Sequence, residues 1–151
     1  MIGVDKMNKR TLKTYLNSSN KELLMGNCFK YGNSYLVSDS YSIIQLNDSY
    51  DLNINDNQLL PTFIDDFKWN YEKQYDLVIN YELDNQSIVN DDKGNSIFGV
   101  NIKMVKRIKS IINFNEASVL RKFSYNDYNY IIKLENTNTN EVAYLLPTRE
   151  Y

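Results

Sequence analysis

The sequence predicts an α+β fold in which two amphipathic helices pack on antiparallel β-sheet. Two basic stretches place apolar residues at helical spacing, and most of the remaining chain falls into short β-rich runs separated by turn residues. No linker long enough to divide the 151 residues interrupts this pattern, so a single domain over 1–151 is expected. Hydrophobic residues make up 42% of the chain, enough for a core that needs no covalent staples. The 5 Gly, 2 Pro and 1 Cys exclude collagen-like, linker-like and disulfide-framework architectures.

Taken in order, Asn8 is a fair N-cap for the first helix, in which Leu12, Tyr15 and Leu16 have i, i+3, i+4 spacing and Lys9 and Lys13 form a separate stripe. Strands are expected at 23–30, 34–37 and 41–46, with Gly32-Asn33 as a tight turn between the first two. The stretch 60–69 is ambiguous and could hold a short helical turn at 63–67. Later strands are expected at 76–83, 87–89, 96–98, 118–123, 128–134 and 142–146, with turn clusters at 91–95 and 136–140. Between them, Asn101 can cap a second helix whose Met104, Val105, Ile108, Ile111 and Ile112 describe one buried face. Lys103, Lys106, Arg107 and Lys109 then lie largely off that face.

The net charge of −2 hides an asymmetry: residues 1–30 carry +4, residues 31–102 carry −9, residues 103–122 carry +5 and the remainder −2. Both positive segments coincide with the predicted helices, and the middle of the chain is strongly acidic. There is no His, which removes His-based triads and the commonest zinc ligand and leaves Cys28, expected to be a free semi-buried thiol, without an imidazole to activate it. Asp65-Asp66 and Asp91-Asp92 are adjacent carboxylates that would point to opposite faces of a strand or into solvent at a turn. Asp91-Asp92-Lys93-Gly94 also lacks the alternating acidic positions of a calcium loop. With no Gly-rich phosphate loop and no G-x-S-x-G turn, the chain is expected to be no enzyme and to hold no metal or cofactor. Tyr125, Tyr128 and Tyr130 could stack on single-stranded bases, but the flanking Asp127 is unfavourable for phosphate and packing is the expected role. No apolar run approaches the roughly 20 residues of a membrane span, and residues 1–10 lack the apolar stretch of a secretory signal, so a soluble, cytoplasmic protein is expected.

An offset of 96 aligns Gly3-Val4-Asp5 with Gly99-Val100-Asn101, and Leu12-Lys13-Thr14-Tyr15-Leu16 with Ile108-Lys109-Ser110-Ile111-Ile112. Each half would then begin with a strand, a polar cap and a basic helix and continue into several strands; two unrelated amphipathic helices would give the same alignment. Two such units, closed by Ala143-Tyr144-Leu145-Leu146-Pro147-Thr148-Arg149, resemble one domain of the DNA sliding clamps, the bacterial DNA polymerase III β-subunit type being most similar. The stretch from Tyr31 to Leu46, with Ser38-Asp39-Ser40 between strands, looks like that family's early hairpin.

The resemblance implies a clamp-like domain that serves DNA replication or a mobile element as a non-catalytic accessory protein. Lys9, Arg10, Lys13, Lys103, Lys106, Arg107 and Lys109 would meet the phosphates of double-stranded DNA without reading bases, a sequence-independent and salt-sensitive attraction. It also implies a pocket at Leu146, Pro147 and Arg149 for peptides of a polymerase or other replication proteins. A bacterial clamp subunit carries three such domains, whereas this chain has room for one, so a ring would require a homo-oligomer. Glu150 and Tyr151 extend beyond the matched terminus. The alternative is a protein-interaction module of clamp-like fold, a clamp mimic or inhibitor, that does not bind DNA.

Overall fold

The computed structural model describes residues 28–38, 42–48, 71–89, 96–123 and 128–149. The predicted first helix, with Lys9, Arg10 and Lys13, lies outside the described residues, as do 60–69, Asp65-Asp66, and the turn at 91–95 with Asp91-Asp92. The elements in chain order are β1 (Cys28–Tyr31), β2 (Ser34–Ser38), β3 (Ser42–Leu46), β4 (Tyr71–Asp76), β5 (Asn85–Val89), β6 (Ser96–Asn101), α1 (Ile102–Ile112), β7 (Glu116–Phe123), β8 (Tyr128–Asn136), β9 (Glu141–Leu145) and β10 (Thr148–Arg149). The class is α+β with antiparallel pairing throughout, but the described residues hold one helix where two were expected.

Local chemistry explains several boundaries. Gly32 adopts φ 60, the left-handed value that a primed two-residue turn needs at its first central position, and the register Tyr31↔Ser34 closes the β1–β2 hairpin around Gly32-Asn33. Asn101 caps α1 as expected, its Oδ1 accepting from the Met104 N–H at 3.3 Å. At the other end Asn113 takes φ 47, and its N–H donates to the Lys109 carbonyl at 2.9 Å; Asn tolerates this left-handed conformation better than other non-Gly residues. The predicted turn at 136–140 connects β8 to β9, with Asn140 at φ 64.

The main sheet has the order β1-β2-β3-β9-β8-β7-β4. Two three-stranded meanders, β1-β2-β3 and β7-β8-β9, meet along the β3–β9 seam in mirrored order, and β4 adds to the β7 edge. A row of small and branched apolar residues, Val37–Ile44–Ala143–Leu134–Ala117, crosses five strands in register on one face. Four of the five are fully buried, and α1 covers this face with Ile102, Val105, Ile108, Ile111 and Ile112. The Met104 expected on that face is half-buried at its margin. Burying such branched side chains contributes roughly 1.5–3 kcal/mol each, so packing rather than helix propensity holds this Ile-rich helix.

A second sheet, in the order β10-β6-β5, sits where the chain enters α1. Asn85 on β5 lays its amide over Gly99 of β6, where an added Cβ would meet its Cγ at 2.9 Å, and its Oδ1 accepts from the Thr148 hydroxyl of β10 at 3.1 Å. Gly99 is therefore small because a side chain from β5 crosses it to reach β10.

Two expected strands differ from what forms. The strand expected at 76–83 runs instead over Tyr71–Asp76, and residues 77–84 leave the ladder after the Leu77 N–H donates to the Ala117 carbonyl at 2.8 Å. The closing strand expected at 142–146 ends at Leu145, and Leu146-Pro147 carries the chain into the other sheet, because Pro147 has no N–H to continue a ladder.

Candidate functional site

Helix α1 contains four basic residues and no carboxylate. At about 100° per residue, Lys103, Lys106 and Arg107 fall within one arc of about 100° opposite the buried stripe, with Ser110 between them. Lys103 and Lys106 are exposed and Arg107 is half-buried, so these three present a positive face with its long axis along the helix.

Lys109 behaves differently. It falls at the edge of the buried stripe, and its ammonium donates to the Phe114 carbonyl and lies 4.7 Å over the Phe114 ring. A cation at a helix C-terminus also meets the negative end of the helix dipole. Of the seven residues expected to meet phosphate, the structure thus brings Lys103, Lys106 and Arg107 together and ties Lys109 to the fold, while Lys9, Arg10 and Lys13 lie outside the described residues. Helical spacing alone could have singled out Lys109, since it lies beside Val105 and Ile102 on the wheel.

The terminal segment gathers around the small sheet. Leu146 is 45% exposed where the chain crosses between sheets, Pro147 is half-buried, and the Arg149 backbone pairs with Phe98. Tyr130 packs on Phe98 with ring centroids 5.1 Å apart, the packing role expected for it rather than an exposed stacking platform.

A groove of about 330 Å³ opens on the sheet face opposite α1, lined by Tyr71, Lys73, Asp76, Ser118, Lys133, Glu135 and Tyr144 among others. It exists because a β-bulge between Lys73 and Tyr75 puts both Lys73 and Asp76 on this face. Lys73 pairs with Asp76 at 2.5 Å and Lys133 with Glu135 at 3.6 Å. The hydrogen bond and charge of Asp76 raise the Lys73 ammonium above its usual value; burial, and secondarily the charge of Glu135, raises the Tyr144 phenol. Lys73 and Lys133 are thus each paired with a carboxylate, and Glu116 adds one more carboxylate to the lining. Among the described residues no three His, Cys, Asp or Glu side chains converge to hold a metal, and no helix is long and apolar enough to cross a membrane.

No protein family model, curated protein or solved structure matches the chain.

Proposed function

We propose that this chain is a clamp-like, non-catalytic accessory protein of DNA replication or of a mobile element, which holds double-stranded DNA by its phosphates. The observation that carries the reading is the Lys103–Lys106–Arg107 face, exposed at both lysines and half-buried at the arginine, on a helix free of carboxylates. The unit β6-α1-β7-β8-β9, a strand, a basic helix and three further strands, is the half-domain pattern expected of a clamp, and the β1-β2-β3 meander stands across the seam from its last three strands. Such a helix gives backbone attraction without base readout, which suits a protein that stays on DNA irrespective of sequence.

The test is the salt dependence of binding to a duplex. Three phosphate contacts give a slope of log K against log salt of about −2.7. Lys106→Gln combined with Arg107→Gln should reduce it to about −1. An unchanged slope, or no binding by the parent chain at low salt, would falsify the proposal.

A second reading is favoured by Leu146, a large apolar side chain left 45% exposed beside Pro147 and Thr148. In that reading the same fold engages a replication protein through Leu146, Pro147 and Arg149 and does not bind DNA. Leu146→Ser abolishing capture of a partner peptide, with the salt slope absent, is the result it requires.

A further inference from the structure

The connection from β4 to β5 carries apolar side chains that its role as a link does not require. Along residues 77–80 burial alternates, with Leu77 and Ile79 packed against the core and Val78 between them 84% exposed. Tyr81 at 39% and Leu83 at 43% are exposed just beyond it. Isolated apolar residues on a surface are ordinary, but here three exposed ones fall within six positions of one segment.

The backbone that presents them is held in place. The Gln86 side-chain amide donates to the Val78 carbonyl at 2.8 Å and accepts from the Asn80 N–H at 2.8 Å, standing in for a residue of a neighbouring strand. Asn80 Oδ1 accepts from the Glu82 N–H at 3.1 Å, and the Asp84 carbonyl accepts from the Ile102 N–H at 3.1 Å, fixing the loop to the start of α1. Pre-ordering of this kind lowers the entropic cost of binding. The segment is also acidic: Glu82 and Asp84 are exposed, and no Lys or Arg occurs between Lys73 and Lys93.

We infer that loop 78–84 is a docking surface for a basic, amphipathic segment of a protein partner. Val78 and Leu83 would seat the partner's apolar face, while Glu82 and Asp84 would meet its Lys or Arg side chains. Charge complementarity selects the partner's sign and steers its approach, and the exposed apolar anchors supply most of the affinity. The same negative charge repels nucleic acid, and the anchors Val78 and Leu83 are residues that the α1 face does not use.

The probe is a fluorescein-labelled synthetic helix of Leu and Lys with Leu at i, i+3, i+4 and i+7, titrated against the full chain by fluorescence anisotropy. A matched peptide with Glu in place of Lys is the control. The Lys peptide should bind and the Glu peptide should not. Val78→Ser should weaken binding about tenfold, and Glu82→Gln with Asp84→Asn should weaken it and flatten its salt dependence. Gln86→Leu keeps every apolar and acidic contact group yet frees the loop backbone, and it too should lose affinity. Circular dichroism checks that each variant is folded, and duplex binding should be unchanged in Val78→Ser and Gln86→Leu, which keep the parent's charges, so a failure here is separable from a failure of the DNA reading. Absence of Lys-peptide binding, or binding indifferent to Val78→Ser, overturns the inference. So does sedimentation showing that the parent chain self-associates and Val78→Ser does not, which assigns the loop to a second copy.

Discussion

Lys109 carries the same charge as Lys103 and Lys106, yet its ammonium is held by the Phe114 carbonyl and ring while theirs is exposed. The difference is angular: a long side chain at the margin of a buried stripe lays its methylenes along the apolar surface and brings its charge to the helix end. Tyr144 shows a comparable effect of position. It faces the groove side of the main sheet, where burial, with a smaller contribution from Glu135, raises its phenol above the ordinary value of 10. Between that value and the raised one, the unfolded chain has released the proton that the folded chain retains. Stability contributed by Tyr144 is therefore complete below pH 10 and is lost as pH climbs through the folded value. Urea unfolding measured from pH 9 upward should show a steeper alkaline loss in the parent chain than in Tyr144→Phe; parallel curves would contradict the assignment.

Helix α1 and the turn beyond β8 are joined by one buried amide. Asn136 is 3% exposed; its Nδ2 donates to the carbonyls of Ile112 and Asn113 at 3.0 and 3.2 Å, and its Oδ1 accepts from the N–H groups of Asn138 and Thr139 at 2.9 and 3.1 Å. It thus satisfies carbonyls that the helix end leaves open and shapes the turn leading to β9. Asn136→Ala strands these groups, and we expect a loss of about 2–4 kcal/mol in chemical unfolding, with faster amide exchange at Asn138 and Thr139. A loss under about 0.5 kcal/mol, typical of a surface substitution, would show that water replaces the amide without penalty. The helix, its Asn101 cap and most of its apolar stripe were legible in the sequence, because each is encoded within one or two turns, but the stripe was read with Met104 in it and without Ile102, which the fold buries. Asn136 was legible only as a turn residue, since the carbonyls to which it donates are 23 and 24 positions away.

The β3–β9 seam joins halves of the chain nearly a hundred residues apart, with Ile44 opposite Ala143 at its centre. Because that row continues into both meanders, neither can expose its apolar face without the other. Ile44→Ala should destabilise the protein by about 2–5 kcal/mol, and β2 and β8 should lose amide protection in the same transition. Protection lost from β2 alone would mean that the meanders unfold separately. The class, the hairpin at Gly32-Asn33, the turn at 136–140, the helix and most strand positions were written in the sequence, since periodicity and turn chemistry act over a few neighbouring residues. The tertiary structure alone decided that β3 pairs with β9, that the chain beyond Leu146-Pro147 pairs with β6, and that the 77–84 loop is fixed to Ile102 at the start of α1. Those outcomes turn on hydrogen-bond partners and packing surfaces supplied by distant parts of the chain, which no local pattern can specify.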